Sequence, residues 1–224
     1  MLKATDVCFR YNSFELKNIN LSIEQGSFTC ICGSNGSGKT TISRLLGGAL
    51  EPHNGTVECD ALRGLVLSNP DNVFVNPIVE EDVAFGPENL GRSAEQIRQD
   101  VDRALELTGM TEYAKHRIST LSYGQKQRVA IAGALAMDAR YLIFDEVTSM
   151  LDPEGSVMIL KLILELVHKE KAVVLVTHNT DLAVYADSLV LVNKGRIVAQ
   201  DKPRVLFNRK NLIEECALRQ PRRW

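Results

Sequence analysis

Between residues 33 and 40 the chain reads Gly33-Ser34-Asn35-Gly36-Ser37-Gly38-Lys39-Thr40, a G-x-x-x-x-G-K-[ST] pattern set between an apolar run and a helix-spaced stretch. Glycines in such a loop let successive backbone N–H groups turn inward around phosphate oxygens, and a helix opening there adds the positive end of its dipole. Lys39 supplies a mobile positive charge for β/γ-phosphates, and Thr40 a hydroxyl suited to Mg²⁺. Downstream, Tyr141-Leu142-Ile143-Phe144 runs straight into Asp145-Glu146, so two carboxylates end an apolar strand. Beside a triphosphate, the first of such a pair can hold Mg²⁺, commonly through water. The second can orient and deprotonate the water that attacks the γ-phosphate. His178 follows the run Ala172–Val176 by one residue and can contact a γ-phosphate and report its presence. The fourth constellation is Leu121-Ser122-Tyr123-Gly124-Gln125, where Ser122 and Gln125 have the S-x-x-Q spacing of a capping box. It reads first as a helix start, and a capped helix N-terminus also attracts anions.

These residues need strands and helices in a particular order. The first 30 residues alternate loosely, with turns at Asn12-Ser13 and Gln25-Gly26, and read as short strands. Phe28 to Cys32 is a five-residue apolar run; Ile42, Leu45, Leu46 and Ala49 then recur at helical spacing, giving strand, loop, helix. From about Val79 to Ala136 the rhythm is helical, as where Ile97, Val101, Ala104 and Leu105 share one face, and predicts an inserted helical subdomain. Strands return at Tyr141–Phe144, Ala172–Val176 and Ser188–Val192. Between the first two lies a helix from Pro153 to about His168, with Asp152 as its N-cap. Fully apolar strands joined by helices predict a parallel sheet covered on both faces, with ligands at the carboxyl ends of its strands.

Composition excludes several alternatives. The chain has 224 residues, 45% hydrophobic and 24% charged, in the range of folded globular proteins. Its 26 Lys and Arg against 28 Asp and Glu leave a formal charge of −2, which argues against holding a nucleic acid by charge. The longest apolar stretch, Val129 to Met137, falls well short of the ~20 residues of a membrane span. The N-terminus lacks the apolar core of a signal peptide, so a cytosolic location is expected. Five cysteines without Cys-x-x-Cys spacing oppose both a disulfide framework and a zinc knuckle; Cys30 and Cys32 are expected to pack on one face of a strand.

The glycine-rich loop, the LSYGQ segment, the strand ending Asp145-Glu146, the Ser149-Met150-Leu151-Asp152 segment and His178, in this order over nearly the whole chain, resemble the nucleotide-binding subunit of an ABC transporter. Asn69-Pro70-Asp71-Asn72, Val79 to Gly91 and Leu121 to Met137 are most similar to ATPase subunits of energy-coupling-factor importers, which take up vitamins or cobalt and nickel ions. The resemblance implies an α/β P-loop NTPase cassette with a mostly parallel core sheet, an N-terminal antiparallel β subdomain and an inserted helical subdomain. Residues 1–224 would form a single ABC ATPase domain, with the insertion at roughly 77–136. It also implies ATP and Mg²⁺ as ligands. Gly33, Ser34, Asn35, Gly36, Ser37, Gly38, Lys39, Thr40 and Thr41 would cradle the phosphates, and Tyr11 would stack on adenine. Thr40 and Asp145 would serve Mg²⁺, Glu146 would be the catalytic base, Lys39 would assist, and His178 would be the switch residue. Ser122, Gly124 and Gln125 would close the site of a second cassette in trans, and Asp152 would also face nucleotide. The implied partners are a second ABC ATPase subunit, identical or homologous, an integral membrane coupling subunit and a substrate-binding membrane subunit, with no nucleic acid. The implied location is peripheral, on the cytoplasmic face of the membrane. The alternatives are an ATPase of another ABC transporter class, a soluble non-transport ABC ATPase, or an ATP-sensing module.

Three features depart from that pattern. Ser68 stands where the family usually has a glutamine reaching the metal and the attacking water; it is too short for that reach, so a water bridge or Asn69 would have to substitute, with slower or more partner-dependent hydrolysis. Tyr123 replaces the first glycine of the usual LSGGQ, with a modest effect expected because Ser122 and Gly124 remain. The segment from Val57 to Leu65 is short and the chain stops soon after Phe207, without the C-terminal extension many relatives use in pairing. The terminal Pro221-Arg222-Arg223-Trp224 reads as a solvated tail.

Overall fold

The computed structural model describes residues 1–11 and 14–222. The turn expected at Asn12 and Ser13, and the Arg223-Trp224 end of the tail, lie outside the described residues. In chain order the elements are β1 (Leu2–Tyr11), β2 (Phe14–Ile23), β3 (Phe28–Cys32), α1 (Lys39–Leu46), β4 (Asn54–Cys59), β5 (Arg63–Val66), α2 (Val79–Asn89), α3 (Ala94–Leu107), α4 (Tyr123–Ala136), β6 (Tyr141–Asp145), α5 (Pro153–His168), β7 (Ala172–Val176), α6 (Thr180–Ala183), β8 (Ser188–Asn193), β9 (Arg196–Asp201), α7 (Pro203–Phe207) and α8 (Lys210–Glu215). The chain divides into two compact units: unit 1 comprises residues 1–65, 140–146 and 163–224, and unit 2 comprises 66–139 and 147–162.

Unit 1 holds two sheets. One is antiparallel, in the order β2-β1-β4; the other runs β5-β6-β7-β3-β8-β9, with β6, β7, β3 and β8 parallel and β9 antiparallel on β8. β3, β6 and β7 are buried at every residue, the burial that near-continuous apolar runs demand of a parallel sheet with both faces covered. Ile31, Ile143, Val174 and Val190 point to one face of that sheet and pack with Ile42, Leu45 and Leu46 of α1 and with Leu2, Leu16, Ile19 and Ile23 of the antiparallel sheet in a single core. Each such side chain contributes about 1.5–3 kcal/mol when fully buried.

β1 and β2 are ten residues each, longer than the sequence suggests. The reason is a register shift between Ala4 and Val7, with Asp6 at φ 49°, which breaks the alternation into pieces that read as separate short strands. β4, β5 and β9 were not foreseen; β4 and β9 are largely exposed and carry little apolar periodicity.

In register, Asp145 of β6 lies level with Val176 of β7, and Val176 with Ile31 of β3. The segments leaving these three strands therefore emerge at one edge of the sheet, and they carry the loop Gly33–Gly38 with the start of α1, Glu146 and His178.

Unit 2 contains α2, α3 and α4, which pack on one another. α3 starts in a capping box of Ser93 and Gln96 and buries Val101, Ala104 and Leu105. At the far end of α4, Arg92 donates to the carbonyls of Ala136 (3.2 Å) and Met137 (2.7 Å) and pairs with Asp100, closing carbonyls the helix itself leaves open.

Candidate functional site

α1 opens with neither a side-chain cap nor an acidic residue in its first turn. Its N-cap is Gly38 at φ 110°, a conformation that L side chains rarely adopt. A Cβ there would also come within 2.6 Å of Leu16 Cδ2 and 2.7 Å of Phe14 Cζ. Gly33 is equally constrained, since a Cβ would lie 2.2 Å from the Val192 carbonyl oxygen. Gly38→Ala should lower the unfolding free energy by about 2–3 kcal/mol through strain and crowding, measurable by urea denaturation.

Inside this loop Lys39 is only 6% exposed, and its ammonium donates to the carbonyls of Gly33 and Ser34, each at 2.9 Å. An ammonium has three donors, so two shape the loop and one remains. Ser37 Oγ is buried and has no hydrogen-bond partner among the described residues. An orphaned hydroxyl, an uncapped helix start and a third ammonium donor together suit a bound polyanion.

Thr40 Oγ1 donates to Asp145 Oδ1 at 3.3 Å, and Ser43 Oγ donates to the Thr40 carbonyl at 2.9 Å. Asp145 is 1% exposed. Burial pushes its carboxyl above the ordinary range, the Ser43 and Thr40 hydroxyls pull it back, and the neighbouring Glu146 charge pushes it up again. Two hard oxygen donors suit Mg²⁺, which takes few protein ligands and completes its shell with phosphate and water. No cluster of three or more His, Cys, Asp or Glu residues among the described residues forms an all-protein metal cage.

Glu146 has φ 52°, a left-handed conformation rare for a residue with a long side chain and costing on the order of 1–3 kcal/mol. Its backbone N–H donates to the Val176 carbonyl at 2.9 Å, which holds the turn at the strand end. Both carboxylate oxygens lie 3.1 Å from His178 Nδ1. An ionised carboxylate only accepts, so Nδ1 carries the proton and Nε2 is left for another partner on a side chain that is 58% exposed. Tyr11, at the end of β1, is 66% exposed, as a platform for a flat ring must be. Cys30 and Cys32 do share a face, with sulfurs 3.6 Å apart, and burial pushes the Cys30 thiol well up, which keeps it inert.

The second group of residues lies in unit 2. Ser122 caps α4 in both senses of the capping box: Gln125 N–H donates to Ser122 Oγ at 3.3 Å and Ser122 N–H to Gln125 Oε1 at 2.8 Å. Asp152 caps α5 by accepting from Gly155 N–H at 2.7 Å. Ser122, Gly124, Gln125 and Asp152 line one open cavity of about 630 Å³, together with Arg128 and Met158. Ser68 is exposed and also belongs to unit 2. Sequence reasoning placed Ser37 among the phosphate-cradling residues without any sign that its hydroxyl is buried and lacks a partner among the described residues; it missed Ser43 and Arg128, and Ser43 is visible only as the residue one turn after Lys39.

An α/β sheet with a glycine-rich loop, a lysine and strand-end carboxylates at one edge defines a nucleoside-triphosphate-binding protein. Residues 16–149 match the ABC transporter family model. The chain is 38% identical, over 99% of its length and 88% of the relative's, to the energy-coupling factor transporter ATP-binding protein EcfA1 of Mesomycoplasma hyopneumoniae (strain 7448). Among solved structures it resembles cbiO1 from Clostridium perfringens, described as part of the ABC transporter complex cbiONQ, with TM-score 0.82, 34% identity and coverage of 99% of this chain and 96% of that one. It also resembles the cassette MJ0796 in a dimeric post-hydrolysis state bound to ADP and Pi, with TM-score 0.81, 28% identity and coverage of 91% and 99%. The chain belongs to the ABC transporter family, and within it is similar to the ATP-binding proteins of energy-coupling factor transporters.

Proposed function

We propose that this chain is the ATP-binding and hydrolysing subunit of an importer of energy-coupling-factor type, driving uptake of a vitamin or a transition-metal ion through a separate membrane complex. The observation that carries the reading is Glu146, held in a strained backbone conformation on His178 beside the Thr40–Asp145 pair, at the edge of the sheet where the phosphate loop begins. Strain of this kind persists where surrounding structure imposes it, and it concentrates at reacting sites.

The loop N–H groups, the third donor of Lys39 and the Ser37 hydroxyl bind the phosphates, and Tyr11 stacks on adenine. Thr40 and Asp145 would hold Mg²⁺, and the bound ion would supply positive charge against that of the phosphates. Glu146 orients a water and accepts its proton. His178 fixes Glu146 through Nδ1 and senses the γ-phosphate through Nε2. Ser122, Gly124 and Gln125 act on the site of a second ABC ATPase subunit, identical or homologous, with Asp152 beside them. One domain spans residues 1–224, with its helical insertion at roughly 77–136. The membrane contribution comes from integral subunits, a coupling subunit and a substrate-binding one, with this chain docked on their cytoplasmic face; no described helix is long and apolar enough to cross a membrane.

Affinity purification of the tagged chain from detergent-solubilised membranes, followed by mass spectrometry, tests the reading. Integral membrane subunits are expected at stoichiometric amounts; ribosomal proteins or nucleic acid in their place would overturn it.

A further inference from the structure

The two positions at which this chain departs from its family pattern meet in space. Tyr123, the first residue of α4, donates its hydroxyl to the main-chain carbonyl of Ser68 at 2.5 Å. One turn on, Lys126 Nζ pairs with Asp71 Oδ1 at 2.7 Å. Next to it, Gln127 Nε2 donates to the Leu67 carbonyl at 3.2 Å. Residues spaced by three and four share one face of a helix, so a single face of α4 grips Leu67, Ser68 and Asp71 at three points. The gripped segment is itself stiff. Asn69 Oδ1 accepts from Asp71 N–H at 3.1 Å and caps the 3-10 turn Pro70–Asn72. That hydrogen bond ties the Asn69 side chain to its own turn.

Burial adds weight to the third point. Gln127 is fully buried, and its Oε1 has no partner among the described residues. Only the amide NH₂ can donate to the Leu67 carbonyl, so the side chain is fixed in this orientation and leaves one acceptor unmet in order to keep the grip. Stretch 67–72 directly follows β5 and is where the chain enters unit 2.

We propose that Tyr123 is a positioning residue for ATP hydrolysis: its hydroxyl locks segment 67–72 to the same turn of α4 that carries Ser122, so the entry to unit 2 and the capped N-terminus of α4 move as one body. The inference rests on the ATPase reading above. In this chain the short Ser68 side chain transmits nothing by reach; its carbonyl transmits by attachment. Without the lock the segment samples other arrangements, and turnover falls by the fraction that is no longer competent. ATP capture by the phosphate loop makes no use of the lock, so apparent affinity is spared.

The test is Tyr123→Phe, which keeps the ring and removes the donor, in the full chain purified with its membrane subunits. Steady-state kcat should fall about threefold or more while KM for ATP stays within about twofold. Hydrogen exchange at the amides of Asn69, Asp71, Asn72 and Val73 should accelerate. Lys126→Met, which breaks the neighbouring ion pair, should give the same kcat-only signature, and it decides the question if Tyr123→Phe fails to fold. Unchanged kcat in the folded variants, a rise in KM alone, or unchanged exchange at those amides would overturn the proposal. Absence of hydrolysis by the unmodified complex would instead refute the ATPase reading, and the exchange measurement would still decide whether the lock exists.

Discussion

Glu146→Gln is expected to bind ATP as the unmodified chain does and to hydrolyse it about 10²–10⁴-fold more slowly, the usual loss when a general base is removed. At 1.36 kcal/mol per tenfold this is a barrier increase of about 3–5 kcal/mol, far above what a surface substitution produces. Size and backbone preference barely change, while the group that takes the proton is gone. The His178 contact sharpens the expectation: a glutamine offers Nδ1 one acceptor oxygen where the carboxylate offers two, each at 3.1 Å. Glu146→Asn separates chemistry from strain. Asparagine tolerates the left-handed region in which Glu146 sits at φ 52°, so this variant should be equally slow yet more stable by about 1 kcal/mol in urea. A slow variant that is less stable would show that the backbone conformation is not strained.

Lys39→Ala has the second largest expected effect, and on a different step. ATP affinity should fall by about 10–10²-fold, because a charge-assisted hydrogen bond to phosphate is lost and because the two carbonyls that Lys39 holds at 2.9 Å are released, loosening the loop. Equilibrium binding of a fluorescent ATP analogue reads this directly. Lys39→Arg should not restore binding, since a planar guanidinium cannot reach both carbonyls and a phosphate from one point. A Glu146→Gln defect in turnover with a Lys39→Ala defect in binding divides the site into a reacting part and a holding part.

Both residues were legible in the sequence, because their chemistry needs fixed types at fixed spacing next to apolar runs. β3, β6 and β7 were legible for the related reason that unbroken apolar stretches admit few alternatives. What stayed hidden depends on contacts between distant residues or on backbone geometry. The left-handed φ of Glu146 has no sequence signal, since glutamate gives none of the warning a glycine would. β1 and β2 looked short because a register shift interrupts their alternation, and β9 pairs along β8 with only Ile197, Val198 and Ala199 to mark it. Ser68 and Tyr123 each stood out singly, 55 residues apart, and only the fold joins them. The division of the motifs, with the phosphate loop, Asp145, Glu146 and His178 in unit 1 and Ser122, Gly124, Gln125 and Asp152 in unit 2, also required the structure.

Mg²⁺-dependent phosphate release by the affinity-purified complex reads whether this chain turns over ATP within a membrane complex. Sustained release by the unmodified complex, abolished by Glu146→Gln with ATP still bound, is the predicted result. Equal release by the two complexes, or none by either, would contradict the account.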